Sequence, residues 1–212
     1  TGRFIKHLQE ESNRDPKAYQ EFFAEFGRFI KEGITSDFEH KASLAKLLRF
    51  ETSKTEPGEL TSLPDYVSRM KEGQEDIIYI NGPSREAIEA GPYVEALLKH
   101  GYEVIYNFDQ IDDFVFDNLH EFEDKHLKSA DSADLKVPEL EENPEEALSK
   151  EDTEARCGWI KEQLGERIGS VRTSKRLVNN PAVVVTEGMT ASMQRLMAAL
   201  NKDQPMGGAG LT

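Results

Sequence analysis

Five histidines, one cysteine and an abundance of carboxylates are the groups in this chain with which acid–base, nucleophilic or metal chemistry could be done. His7, His40, His100, His120 and His126 are scattered, and no two stand four apart, the spacing that sets two imidazoles on one helical face for a zinc ion. His120 and His126 flank Glu121, Glu123 and Asp124, the stretch with most ligand types for a metal-dependent hydrolase; a solvated helix end is the favoured reading. Asp112 and Asp113 are adjacent, so a helix sends them to different faces and they make a poor acid–base pair. Cys157 stands alone, which excludes an intramolecular disulfide and a cysteine zinc site and fits a small thiol in a reducing compartment. The glycines of 207–210 have no preceding strand and no following Lys-Ser or Lys-Thr, so they are not a phosphate cradle. Gly82, Pro83 and Ser84 follow a strand, where α/β folds often bind ligands, but they read as a turn first. The most suggestive group is apolar. Met189, Met193, Leu196, Met197 and Leu200 fall on, or just before, one face of a helix expected over 191–200, with Thr190 as its cap. Methionine adapts its shape to many partners, so such a face suits a promiscuous surface. Pattern alone favours packing against the second unit's strands.

The elements that must position these groups follow from periodicity and punctuation. Phe4, Ile5 and Leu8 share one helical face. Asp15 and Pro16 open a long helix as N-cap and first residue, with Tyr19, Phe22, Phe23, Phe26, Phe29 and Ile30 as an aromatic core stripe and Gly33 as its stop. A helix at 42–48 leads to a short extended segment and an exposed loop. Ser62 then caps a helix carrying Leu63, Tyr66, Val67 and Met70, and 77–80 is a buried strand. Ser84 caps a short helix through Glu89. Another runs from Pro92 to Gly101, with His100 placed favourably at its negative end. The stretch 103–108 is a strand, Asp109 caps a helix with Ile111, Phe114, Val115, Leu119 and Phe122 inward, and 125–130 is a last strand. Strands alternating with helices at these spacings imply parallel pairing and helices on both sheet faces. Residues 131–151 are acidic with two prolines and read as a solvated linker, without the spacing of a calcium loop. A second unit follows: a helix over 152–164 with Ala155, Trp159, Ile160 and Gln163 on one side, strands at 168–173 and 182–186, and the methionine helix. Arg172, Lys175 and Arg176 read as a solvated basic edge.

The expected fold class is therefore α/β: a helical layer plus a small α-β-α sandwich with a mainly parallel sheet, followed by a partial α+β domain. A formal net charge of −14 argues against nucleic acid and against anionic membranes, since both need concentrated Lys and Arg. No apolar run approaches the roughly 18–20 residues of a membrane span. A start at Thr1 and a glycine-rich tail at 207–212 give the expectation of a piece of a longer chain.

The segments YQEFFAEFGRFIKEGI (19–34), LAKLLRFETS (44–53), LTSLPDYVSRMKEGQEDIIYINGPS (60–84), PYVEALLKHGYEVIY (92–106), IDDFVFDNLHEFEDKHL (111–127) and RLVNNPAVVVT (176–186) closely resemble, in order and spacing, the heat-shock protein 90 family of ATP-dependent chaperones. FIKEGI, LLRFETS and LTSL resemble the mitochondrial member (tumour necrosis factor receptor-associated protein) more than the cytosolic ones, which implies a mitochondrial location and otherwise a cytoplasmic one. The resemblance implies that 1–130 is the later half of the middle domain, 131–151 a linker, and 152–212 the first part of the C-terminal domain, short of its dimerisation helices. It further implies a homodimeric parent that uses ATP and magnesium, with the nucleotide pocket and the γ-phosphate arginine upstream of Thr1. No catalytic, cofactor or metal residue is then carried over, and this segment alone neither binds nor hydrolyses ATP. EGMTASMQRLM (187–197) matches the family's amphipathic segment that contacts non-native clients, so Met189, Met193, Leu196 and Met197 are implied client-binding positions. Here Met189 replaces the tryptophan of cytosolic members, and Ala182 leaves no thiol where those members can carry a regulatory cysteine. The expected function is to bind non-native proteins and relay nucleotide-driven rearrangement; the alternative is an acidic α/β adaptor for one defined protein partner.

Overall fold

The computed structural model describes residues 2–132, 135–136, 149–174, 176–177 and 180–185. Three helices come first: α1 (Gly2–Arg14), α2 (Pro16–Ser36) and α3 (Lys41–Ala45). Asp15 caps α2 by accepting the Ala18 amide at 3.0 Å, with Pro16 at the first helical position. Gly33 does not end α2, which runs to Ser36. A Cβ on Gly33 would sit 3.1 Å from a methyl of Leu44, so glycine is there to let α3 pack close. The expected aromatic stripe is also too broad: Tyr19, Phe23 and Ile30 are buried, while Phe26 and Phe29 stand in solvent.

A five-stranded sheet follows, in the order β1-β3-β2-β5-β4. Its strands are β1 (Glu51–Thr52), β2 (Asp76–Asn81), β3 (Ile105–Asn107), β4 (Glu121–Phe122) and β5 (Lys125–Ser129). The central β3-β2-β5 pairs are parallel, and the edge strands β1 and β4 run antiparallel to them. Between the strands lie α4 (Leu63–Ser68), α5 (Arg85–Glu89), α6 (Glu95–Lys99) and α7 (Gln110–Leu119). Alternation along β2 splits the core in two. Ile77 and Tyr79 face α1–α4 and α7, whereas Ile78 and Ile80 pack with Ile88, Val94 and Leu97 of the α5–α6 layer. This is the expected mixed α/β architecture with helices on both faces.

Some local details differ from expectation. Asp109 stands at the α7 N-cap position with extended backbone, but its carboxylate makes no cap hydrogen bond. Phe122 is buried on β4 rather than on the helix, because α7 stops at Leu119 with His120 at φ 55°. Glu123 and Asp124, both at positive φ, then make the two-residue turn between β4 and β5, a geometry whose twist matches paired strands. The helix α8 (Lys150–Leu164) starts two residues before the expected 152, with Ser149 as its cap. None of its residues is buried, so the side carrying Ala155 and Trp159 faces no core among the described residues. The described parts of 168–173 and 182–186 form no strand.

One buried knot ties these layers together. Glu103, 2% exposed, accepts from Arg69 Nε (3.0 Å) and Nη2 (2.7 Å) and from Thr52 Oγ1 (2.8 Å). Its backbone carbonyl accepts the Tyr66 hydroxyl at 2.7 Å, and that oxygen accepts in turn from the Ile78 amide (3.0 Å) and from Gln74 Nε2 (3.2 Å). Removing the hydroxyl leaves a buried amide of β2 and a buried carbonyl before β3 without their partner. Tyr66→Phe is expected to destabilise the chain by about 1–3 kcal/mol; urea unfolding should show a lower midpoint at unchanged slope, and an unmoved midpoint would refute the role.

Candidate functional site

Residues 189, 193, 196 and 197, the implied client face, lie outside the described residues. The histidines, Asp112, Asp113, Cys157 and the turn after β2 are described, and the fold does not bring them into one site; residues 175, 200 and 207–210 also lie outside the described residues. His126 pairs with Glu121 across the β4–β5 hairpin, and the His120 carbonyl, just before β4, accepts the Leu127 amide at 2.8 Å. No group of three His, Cys, Asp or Glu side chains is arranged to hold a metal among the described residues. Asp112 and Asp113 are both buried and diverge: Asp112 Oδ1 lies 2.7 Å from Lys31 Nζ, while Asp113 acts electrostatically on Tyr79, which faces α7. The turn after β2 is filled, since Ile88 packs so tightly on Gly82 that a Cβ there would sit 2.6 Å from it. The described residues do not fit ATP and magnesium: Ile88 fills the turn that could cradle phosphates, and Asp112 is buried against Lys31. No helix among the described residues is long and apolar enough to cross a membrane.

What the fold does build is an open groove of about 520 Å³ between α2, the β1 edge and the start of α7. Its apolar wall is made by Phe23, Phe50, Leu60, Phe108 and Ile111, with Gly27 in the α2 face. A side chain at Gly27 would press on the Phe23 ring at 3.0 Å. Lys31 anchors one end through Asp112 and, at 3.4 Å, Asp109. This long-range clamp was invisible in the sequence because its partners are some eighty positions apart. Large apolar side chains also stand in solvent elsewhere: Phe4, Phe26, Phe29, Phe38, Phe114 and Trp159.

A third feature joins distant parts of the chain. Arg176 Nη1 donates to the Ser132 carbonyl at 2.9 Å, Asn180 Nδ2 to Glu95 Oε1 at 2.7 Å, and the Tyr93 hydroxyl to the Val184 carbonyl at 2.8 Å. The expected solvated basic edge thus contributes a structural tie at Arg176, which is half-buried.

A small, mostly parallel sheet with helices on both faces defines a mixed α/β module. The family model described as "Hsp90 protein" matches residues 3–208, and the chain belongs to that family. Similar proteins include the chaperone protein HtpG of Desulfitobacterium hafniense, 49% identical over 96% of this chain and 33% of its own length. The chaperone protein HtpG of Desulfotalea psychrophila is 47% identical over 98% of this chain and 34% of its own length. An endoplasmin homolog of Catharanthus roseus is 40% identical over 91% of the chain and 24% of its own length. The chain spans about a third of the length of the HtpG relatives it matches. These bacterial relatives overturn the expected likeness to the mitochondrial member, and the mitochondrial location goes with it. The physical reason lies in the motifs used. Ile30 and Ile34 of FIKEGI, Leu47, Leu48, Phe50 and Thr52 of LLRFETS, and Ser62 and Leu63 of LTSL are all buried, so they report a shared core rather than one branch of the family.

Burial holds the Asp112 carboxyl above its ordinary 3.8, with Lys31 opposing that shift. A raised folded-state pKa means that the stability linked to this group is complete below the unfolded value and is lost as pH rises through the folded one. Asp112→Asn should remove that loss. Calorimetric melting above about pH 4 is expected to fall less with rising pH in the variant than in the parent; parallel profiles would contradict the assignment.

Proposed function

We propose that this chain is the middle-to-C-terminal part of an ATP-dependent molecular chaperone that holds non-native client proteins and relays nucleotide-driven rearrangement. The observation that carries this reading is the unbroken family match over 3–208, which includes the methionine-bearing segment. Residues 1–130 would be the later half of the middle domain, 131–151 a linker and 152–212 the start of the C-terminal domain. Met189, Met193, Leu196 and Met197 would contact clients, because unbranched polarizable side chains repack against varied apolar partners at little cost. The exposed Phe26, Phe29 and Phe114 support a chain that meets other proteins. The ties from Arg176, Asn180 and Tyr93 support the relay, since they fasten the region beyond α8 to the sheet layer. In the whole protein, ATP with magnesium and a second copy of the chain would act through segments outside this one. A cytoplasmic setting suits the single cysteine and the bacterial relatives.

Anisotropy of a labelled non-native protein, titrated with this chain, tests the reading. Weak, broad binding is expected, falling several-fold in the Met193→Ser/Met197→Ser chain with its melting temperature nearly unchanged. A large loss of stability would instead make those residues core. Saturable binding of one sequence only would favour the adaptor.

A further inference from the structure

The groove beside α2 holds a cation that the fold immobilises without giving it a carboxylate. Arg49 Nη1 donates to the carbonyls of Lys46 (3.1 Å) and Leu48 (2.8 Å). The ring of Tyr19 lies 4.5 Å from the guanidinium carbon, and its hydroxyl is fixed on the Leu47 carbonyl at 2.8 Å. Neither Nε nor Nη2 has a hydrogen-bond partner among the described residues, and no carboxylate among them lies within ion-pair distance. Asp65 acts on Arg49 only from farther away, and burial pulls the guanidinium pKa below its usual value. The neighbouring charges are committed elsewhere: Lys31 to Asp112, Arg28 to Glu32, and Glu51 to Arg85. Glu25 and Asp109, both exposed, are the other acidic groups of the groove, and Asp109 lies 3.4 Å from Lys31.

We propose that this groove docks a short segment of a protein partner in which an aromatic or aliphatic side chain adjoins a carboxylate. The apolar side chain would lie over Phe23, Gly27 and Phe108, and the carboxylate would take paired hydrogen bonds from Nε and Nη2 of Arg49. A planar guanidinium edge matches a carboxylate in this way, whereas an ammonium offers only a point charge. Because Nη1 and the Tyr19 ring already hold Arg49, little side-chain entropy remains to be lost on binding. Phe108, 39% exposed, supplies apolar area that docking would remove from water. The net charge of −14 repels an acidic segment at long range, so the local pair must supply the affinity. The choice of a polypeptide occupant rests on the chaperone reading; the site itself is separate from the methionine face.

The test titrates the full 212-residue chain with fluorescein-labelled Gly-Ser-Phe-Asp-Leu-Gly-Ser and with its counterpart carrying Asn in place of Asp. The Asp peptide should bind about tenfold or more tightly than the Asn peptide, the scale of charge-assisted hydrogen bonds. It should move the backbone amide resonances of Gly27 and Phe108. Arg49→Lys, which keeps the charge, should lose most of the discrimination. Phe108→Ser, at an exposed position, should weaken both peptides and provides a second readout if Arg49 variants fold poorly. Equal binding of the two peptides, discrimination kept in Arg49→Lys, or shifts confined to other surfaces would overturn the site. The Met193→Ser/Met197→Ser chain should bind the Asp peptide unchanged; loss there would move binding to the methionine face and refute the groove. If the groove fails while non-native protein still binds through the methionines, the chaperone reading stands without it.

Discussion

The fold depends on the need to satisfy one buried carboxylate. Glu103 lies just before β3, almost wholly removed from water, and an ionised group there is tolerable only if both its oxygens find donors. Arg69 supplies two hydrogen bonds from beyond α4 and Thr52 a third from β1. Tyr66 completes the arrangement by joining the Glu103 carbonyl to the Ile78 amide of β2. Four separate segments are thereby fixed at one point. None of these bonds is worth much singly, but leaving any buried member unpaired costs more than making it gained.

With that point fixed, the rest of the architecture has little freedom. β2 must run between β3 and β5, so its alternate residues feed two cores, one under α1–α4 and α7 and one under α5–α6. Phe116 then reaches both Phe50 (5.1 Å) and Tyr79 (4.5 Å), which locks α7 over the sheet. Lys31 meets Asp112 from the facing helix and closes one end of the groove. The groove thus lies between the β1 edge of the sheet and α2, with α2 tied to α7 at one end. Its polarity is inherited largely from residues serving the fold, and Arg49 keeps hydrogen-bonding capacity at Nε and Nη2.

Much of this was legible in the residues. Asp15 with Pro16, Ser62 and Ser84 announced helix starts, because a cap needs only a local side chain and an amide two or three residues on. The apolar run at 77–80 announced a buried strand. Gly33 misled because a glycine that ends a helix and one that admits a neighbouring Leu44 look the same in sequence. Phe26 and Phe29 misled because helical spacing tells which residues share a face, not whether anything covers that face. The valines at 183–185 misled in the same manner: β propensity describes fitness for a sheet that a partner must still provide. The family was readable from an ordered series of motifs, but the branch was not, since those motifs were mostly core.

By itself the sequence determined the family, the alternation of elements, the parallel character of the sheet and the absence of an intramolecular disulfide. Each of these follows from local pattern, from motif order or from counting. Only the tertiary structure decided that Glu103 is the buried hub, that Lys31 pairs with Asp112, that Ile88 fills the turn after β2, and that Arg49 lines the groove with no carboxylate among the described residues at ion-pair distance. Those facts join residues dozens of positions apart. Which charge meets which is set by the chain's path through space, and local spacing carries no record of it.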